Sequence, residues 1–491
     1  MSWATRRRER AATQRASITN FVPRSRGDYP AGMSFRLSSD SAAADRKMPA
    51  LRVIPREQHN LSRKQISRGA LRVLYGLKDA GFRACLVGGA VRDLLLGRQP
   101  KDFDLATDAT PEDVKKLFRN CRLIGRRFRL AHVVFGPEIV EVATFRGTGE
   151  GDTSGDRHVV DGRILRDNVW GSIEEDALRR DFRVNALYYD IADFSVIDYV
   201  GGIEDLERRH LRLIGDPATR YREDPVRMLR AARLAAKLGF TIDAEAAAPF
   251  DELGHLLADA PPARLFDECQ KMFLAGYGLE SFRMLVRYDL LRHLFPGTAR
   301  ALKQDASGGM LALIERGLAG TDERVAEARP VTPAFLFAVL LWGEDDTLAT
   351  RLREEGASQP LAWLRAAHRV MSEQGKRVAI PRRFAYAIEE IWALQPRFAE
   401  RSRKRVFRLM AHPRFRAAYD FLLLRAGESE ELRESGEWWT RAQALSADEL
   451  SASLAPKTPA RAGEAAAKPR RRRRRRGSGS KTSAPTSDSQ E

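Results

Sequence analysis

The sequence predicts an α/β catalytic head followed by a long, wholly helical region, with basic low-complexity segments at both ends. Three observations predict it. Short apolar runs alternate with helical patterns from Ser62 to about residue 215. From about Ala244 to Arg425 the periodicity is helical throughout, punctuated by Pro261-Pro262, Pro296-Gly297, Pro330, Pro360, Pro381 and Pro413. Beyond about Leu445 the composition turns to Ala, Ser, Pro, Lys and Arg, with unbroken arginine from Arg470 to Arg476.

The 491 residues suffice for roughly two to four domains. A net charge of +18 and a pI of about 10.1 point to a polyanionic partner, nucleic acid before membrane. No apolar run approaches the roughly 20 residues that span a bilayer. Cys85, Cys121 and Cys269 lack metal-like spacing, which fits a reduced, cytoplasmic compartment without disulfides. Residues 1 to about 60 are rich in Arg, Ser and Ala. They loosely resemble a transit peptide; a disordered leader, or an upstream start codon with Met33 or Met48 as the real start, accounts for them better.

Ordered structure is expected from near Ser62, with a helix through Leu71, Leu74, Tyr75 and Leu77 up to Gly81. Phe82 to Val87 reads as a strand, Gly88-Gly89 as a turn, Ala90 to Leu96 as a helix and Asp102 to Ala106 as a second strand. Two glycines admit close approach of a bulky anion, and the helix start offers unpaired N–H groups to phosphate. In a strand, residues i and i+2 share a face, so Asp102 and Asp104 present paired carboxylates suited to magnesium on a nucleotide's phosphates. Thr110-Pro111-Glu112-Asp113 opens a helix. Strands are expected around Arg122–Ile124, His132–Phe135 and Ile139–Phe145. On the last, Ile139, Glu141 and Ala143 share a face; Glu141 either joins the aspartates as a third carboxylate or is a solvated residue of an edge strand.

Gly147 to Arg163 reads as a mobile polar loop. Ser172 and Glu175 form a capping-box pattern. Arg179, Arg180, Asp181 and Asn185 are either triphosphate and ribose contacts or a solvated helix face with local ion pairs. A strand follows at Val196–Tyr199. Asp224 reads as an N-cap, Pro225 as the first helical residue and Gly239 as the helix stop. Arg227, Arg230 and Arg233 repeat every third residue on one helix face, opposite an Ala/Leu-rich face. Aromatic and basic residues interleave from Lys376 to Phe415, a pattern that suits an RNA-tracking surface and that amphipathic packing explains almost as well. Trp438-Trp439 is expected to pack the last helix onto the body.

Three motifs then occur in order: Leu-Val-Gly-Gly-Ala-Val-Arg-Asp followed by Lys-Asp-Phe-Asp, Arg-Arg-Asp-Phe-Arg-Val-Asn-Ala-Leu, and Glu-Asp-Pro-Val-Arg-Met-Leu-Arg-Ala-Ala-Arg. Together they resemble the class II nucleotidyltransferases, the family of bacterial poly(A) polymerases and CCA-adding enzymes, over roughly Ile54 to Arg425. The segments Leu117–Gly136, Gly171–Asp176, Pro333–Phe337 and His412–Asp420, with the arginine-rich tail, look like the poly(A) polymerase branch. No His-Asp dipeptide occurs, so the phosphohydrolase signature of some CCA-adding enzymes is absent from the sequence.

The resemblance implies a polymerase-β-like head followed by all-α neck, body and tail regions. It places the head at 61–215, a neck with a nucleotide-recognition helix at 216–275 and an RNA-binding body at 276–445, while composition reads 1–60 as a disordered basic leader and 446–491 as a disordered Arg-rich tail. It implies that Asp102 and Asp104 bind Mg2+, with Glu141 as the third metal carboxylate, and that Asp181 belongs to the active site. Gly89 and Arg92 would touch the triphosphate and Arg180 the incoming nucleotide. Asp224, Arg227, Arg230 and Arg233 would select the base. The implied reaction transfers AMP from ATP to RNA 3′ ends with release of pyrophosphate, in RNA turnover alongside RNA-decay factors. A tRNA CCA-adding enzyme is the nearest alternative, and a non-catalytic RNA-binding scaffold is the alternative of another class.

Overall fold

A computed structural model describes residues 50–125, 129–147, 157–160, 163–167, 169–427 and 429–454. All of them fall within the unit Ala50–Glu491. The head is a mixed sheet. Its strands are β1 (Arg52–Ile54), β2 (Ala84–Val87), β3 (Asp104–Thr107), β4 (Cys121–Ile124), β5 (Leu130–Phe135), β6 (Glu138–Thr144), β9 (Leu187–Asp190) and β10 (Val196–Asp198). They lie in the order β1-β10-β9-β2-β3-β6-β5-β4. A separate hairpin pairs β7 (Arg157–Val160) with β8 (Arg163–Asp167). Only the β3–β6 pair in the large sheet is parallel; its neighbours run antiparallel.

Strand alternation sorts the sheet's two faces. Leu86, Leu105, Val140, Val142, Ala131 and Val133 enter the main core, beneath the Arg68–Asp79 helix. Cys85, Val87, Ala106 and Tyr188 face a smaller core closed by Ile173 and Ala177 of the Ile173–Arg179 helix. Asp104 and Glu141 belong to this second face, at its open edge.

Several sequence expectations are corrected. Strand β1 lies upstream of Ser62, because Arg52–Ile54 completes the sheet edge against β10. The polar segment Gly147–Arg163 carries the first strand of a hairpin, since local pairing with Arg163–Asp167 needs no apolar alternation. Strand β3 starts at Asp104, so Asp102 sits just before it. Strand β9 was not expected; its four residues are all buried and show no alternation. Ser172 and Glu175 do form the reciprocal capping box.

Beyond the head, helices predominate. The Val226–Leu238 helix buries Val226, Met228, Leu229, Ala231, Ala232, Leu234 and Ala235. Pro225 occupies its cap position, one residue later than read from sequence, and the Asp224 carboxylate still accepts the Val226 N–H at 3.3 Å. Gly239 stops it in the left-handed conformation, φ 69°. The body centres on the Pro333–Glu354 helix, whose Leu336 to Trp342 are all buried. A last cluster gathers Phe398, Leu409, Phe415 and Trp439, with the Trp439 indole donating to the Phe398 carbonyl at 2.9 Å. Helix Ala447–Ser453 extends this cluster through Leu450, inside the stretch expected to be disordered tail. No helix among the described residues is long and apolar enough to cross a membrane. Cys85, Cys121 and Cys269 are free and buried. The leader up to residue 49 and the Arg470–Arg476 run lie outside the described residues.

Candidate active site

Strand register builds the site. Val87 of β2 pairs with Tyr188 of β9 and Asp104 of β3; Asp104 pairs with Glu141 of β6, and Glu141 with His132 of β5. Directly paired residues point to the same face, so Tyr188, Val87, Asp104, Glu141 and His132 form one row across five strands. The Glu141 carboxylate meets His132 Nε2 at 3.3 Å. At the end of β2, Gly88 adopts φ 74° and ψ −133°, a conformation that glycine alone adopts freely, and turns the chain into the Gly89–Leu95 helix. The turn leaves β2 at the end where Asp102 leads into β3.

The Asp104 side chain opens to solvent on one side with protein packed around the rest, and its carboxylate makes no hydrogen bond or ion pair among the described residues. Burial by the surrounding protein, then Glu141 and Asp102, raise its carboxyl to about 6, against the opposing pull of Arg180 and His132. The acids crowd one another, and Arg180 and His132 offset only part of that repulsion. No three Asp, Glu, His or Cys side chains among the described residues gather tightly enough to hold a metal by themselves. Magnesium asks for less, since it is commonly held by one or two carboxylates plus substrate phosphates and water. Asp102 and Asp104 fit that demand. Glu141 is turned toward His132 and stands beside the pair rather than closing a three-carboxylate cage.

Cationic groups flank these acids. Arg180 donates from Nε to Asp176 at 3.0 Å and to the Tyr188 hydroxyl at 2.9 Å, and the Tyr188 O–H donates to Asp176 at 2.6 Å. Its guanidinium also lies over the Tyr188 ring at 5.2 Å, and its Nη1 would lie 3.6 Å from a Cβ added at Gly88. Arg180 is thus fixed between the glycine turn and Asp104. Arg146 joins it: burial lowers its pKa while Asp176 and Glu141 support its charge and Arg180 opposes it. Arg92 is placed differently. It is 3% exposed, paired with Asp93 at 2.7 Å and bonded to the Asn185 side-chain oxygen. It braces Gly89 from behind, its Nη2 being 3.4 Å from a Cβ added there.

Asp181 is fully engaged. Its carboxylate accepts from both Arg230 nitrogens of the neck helix, from the Phe182 N–H at 2.8 Å and from Asn185 at 3.3 Å. Burial pushes its pKa up, and Arg230 with the other donors outweighs that and holds it well below the usual carboxylate range. It ties the head to the Val226–Leu238 helix. Three further links join the head to the helices that follow it: Lys237 to Asp93 at 2.9 Å, Arg98 to the Lys237 and Leu238 carbonyls, and Arg220 to the Arg179 and Arg180 carbonyls.

Each member of the expected base-reading row has a protein partner. Asp224 accepts two hydrogen bonds from Arg264, at 2.8 and 2.6 Å. Arg227 pairs with Glu223 at 2.8 Å, and Arg233 with Glu268. The row is a rigid, pre-ordered lattice rather than a solvated face. Sequence reasoning missed Arg264, Asp176, Tyr188, Arg146 and His132. The i,i+4 spacing of Asp176 and Arg180 was a usable signal; the other pairings depend on sheet order or on helices far apart in the chain.

Comparison with known proteins decides the family. A family model described as "Poly A polymerase head domain" matches residues 84–212, "Probable RNA and SrmB- binding site of polymerase A" matches 239–302, and "Polymerase A arginine-rich C-terminus" matches 355–477. Poly(A) polymerase I of Escherichia coli O6:H1 is 52% identical over 412 residues, covering 82% of this chain and 88% of that protein. The chain belongs to the poly(A) polymerase family. The Haemophilus influenzae poly(A) polymerase I is 45% identical over 393 residues, 79% of this chain and 87% of that one. A Bacillus pumilus CCA-adding enzyme is more distant, 37% identical over 238 residues, 48% of this chain and 57% of that one. The fold is shared with solved structures of low identity. One described as a tRNA-processing enzyme in apo form I has a TM-score of 0.56 at 23% identity, covering 81% of this chain and 97% of that one. One described as a tRNA nucleotidyltransferase complexed with a primer tRNA and an incoming ATP analog has a TM-score of 0.52 at 22%, covering 76% and 100%. As a poly(A) polymerase family member the protein is a nucleotidyltransferase enzyme, built as a mixed-sheet head followed by a helical body.

Proposed function

We propose that the protein adds AMP from ATP to RNA 3′ ends without a template, at the sheet edge carrying Asp102 and Asp104. The observation that carries this reading is the Asp104 carboxylate, without an ion-pair partner among the described residues and paired in register with Glu141 beside a glycine turn and the fixed Arg180. The 3′-hydroxyl oxygen attacks the α-phosphorus of ATP, the bond from that phosphorus to the bridging oxygen breaks, and pyrophosphate leaves. Magnesium held by Asp102 and Asp104 would ease loss of the hydroxyl proton and neutralise charge on the leaving pyrophosphate. Arg180 holds the triphosphate against the Gly88–Gly89 turn, whose backbone leaves room for it. Arg92 supports Gly89 from behind. Asp224 with Arg264, and Arg227, Arg230 and Arg233, present fixed donors and acceptors to the base, already ordered before ATP arrives. Asp181 positions Arg230. The basic tail and body hold the RNA, and the free cysteines suit a cytoplasmic setting with RNA-decay factors as neighbours.

The test is incorporation of label from ATP into unstructured RNA by wild type and Asp104→Ala. The variant is expected to lose more than about a hundredfold in rate, with RNA affinity nearly unchanged. Wild-type-like rates in Asp104→Ala would remove the metal assignment.

A further inference from the structure

A concave feature lies in the helical body, partly lined by the stretch where aromatic and basic residues interleave. It is a groove of about 600 Å³, a size typical of ligand sites. It runs between the first half of the Gln359–Arg377 helix, the Gln395–Ala399 turn and the Arg403–Met410 helix. It follows the seam between the main core, to which Trp363 packs, and the last hydrophobic cluster, which contains Leu409. The wall is apolar, with Pro360, Trp363, Leu364, Pro396 and Leu409. Leu364 is 62% exposed. Trp363 is held by stacking on Trp342 at 5.0 Å and 15°.

The remaining lining is cationic. Arg397, Arg405 and Arg408 are exposed, and His412 closes one end. The one acid in the lining, Glu400, is already taken by Arg405 at 2.7 Å. Arg397 and Arg408 have no carboxylate partner among the described residues. Apolar surface beside unmatched guanidinium groups is the chemistry that takes a nucleobase on one side and its phosphate on the other. An acidic, apolar peptide could also seat there, but the chain's charge of +18 and its proposed substrate favour the nucleic acid.

We propose that this groove holds single-stranded RNA upstream of the reacting 3′ end. Bases rest on Pro360, Leu364 and Pro396, and phosphates meet Arg397 and Arg408. The proposal rests on the RNA-extending function above and names where the strand is gripped in the body. The growing adenosine tail is then itself a ligand of the groove.

The test uses the full chain and oligo(A) RNA without magnesium or ATP, so that binding is read apart from extension. With p-benzoylphenylalanine in place of Leu364, irradiation is expected to cross-link the RNA. The double variant Arg397→Glu, Arg408→Glu is expected to bind oligo(A) at least about tenfold more weakly. Its plot of log affinity against log salt should flatten by about 0.7 for each phosphate it no longer neutralises. The tail's contribution is common to both proteins and cancels in the difference. Both arginines are exposed, and an unchanged melting temperature checks that the variant folds. No cross-link, or wild-type affinity and salt slope in the double variant, would overturn the proposal. So would cross-linking to a co-purifying protein in place of RNA. Failure of the proposed function would show differently, as absence of AMP incorporation by the wild-type enzyme.

Discussion

Arg230 does two jobs that pull against each other. It belongs to the row proposed to read the base, yet its guanidinium is what keeps Asp181 ionised inside the head–neck junction. Removing it strands a carboxylate that is 13% exposed. Breaking a fully buried pair costs about 3–5 kcal/mol; with Arg230 about a third open to water, about 2–3 kcal/mol is expected for Arg230→Ala. The pH dependence follows. The folded carboxyl titrates below its unfolded value, so the pair's stabilisation is present above about pH 4 and is lost as pH falls through the folded value. Arg230→Ala should remove that acid-side loss, and Arg230→Ala with Asp181→Asn should recover much of the stability. Thermal unfolding of wild type, the two single variants and the double variant across pH checks this. A wild-type melting temperature in Arg230→Ala would deny the brace.

At the scale of single elements, the Pro333–Glu354 helix carries a second unusual carboxyl. Asp345 is fully buried and neither oxygen has a hydrogen-bond partner among the described residues. Burial, then Asp346, Glu344 and Glu389, push its pKa well above the usual range. Here the sign reverses: the unfolded carboxyl ionises near pH 4 or so while the folded one stays protonated, so stability falls as pH rises from there. Asp345→Asn is expected to gain on wild type with increasing pH, by at most about 1.4 kcal/mol per pH unit. A pH-independent difference in denaturant unfolding would contradict this. Elements also show what the sequence made legible. The capping box at Ser172–Glu175 and the alternation of Ile139, Glu141 and Ala143 are local, and both were readable. The register that sets Glu141 beside Asp104 on one side and His132 on the other is not, because it depends on β6 lying between β3 and β5. Asp224 and Arg264 lie on separate elements 40 residues apart, and no spacing rule joins them.

Over the whole molecule, links such as Asp181–Arg230, Asp93–Lys237 and Arg212–Asp243 hold the head to the helices that follow it, so the row proposed to read the base and the glycine turn hold a fixed relation. Catalysis by positioning and electrostatics needs such rigidity. The motif order made the fold of the head legible, but the ion-pair lattice around it depends on how the following helices pack back onto the head. On the proposed reading the tail adds affinity rather than chemistry. Leu450 is buried in the last cluster, so a cut there would disturb the fold; truncation after Leu454 is the cleaner experiment. It is expected to weaken RNA binding, flatten its salt dependence and spare AMP addition at high RNA concentration. Unaltered salt dependence in the truncated protein would assign the binding to the body alone.

Tail synthesis is the activity that head, neck and body jointly serve, and the choice of nucleotide tests it most directly. Wild-type enzyme is given ATP alone, or CTP with ATP, on unstructured RNA and on tRNA lacking its CCA end. Long adenosine tracts on unstructured RNA with ATP alone are the expected result. Products that need CTP and stop once CCA is restored to the tRNA would contradict it.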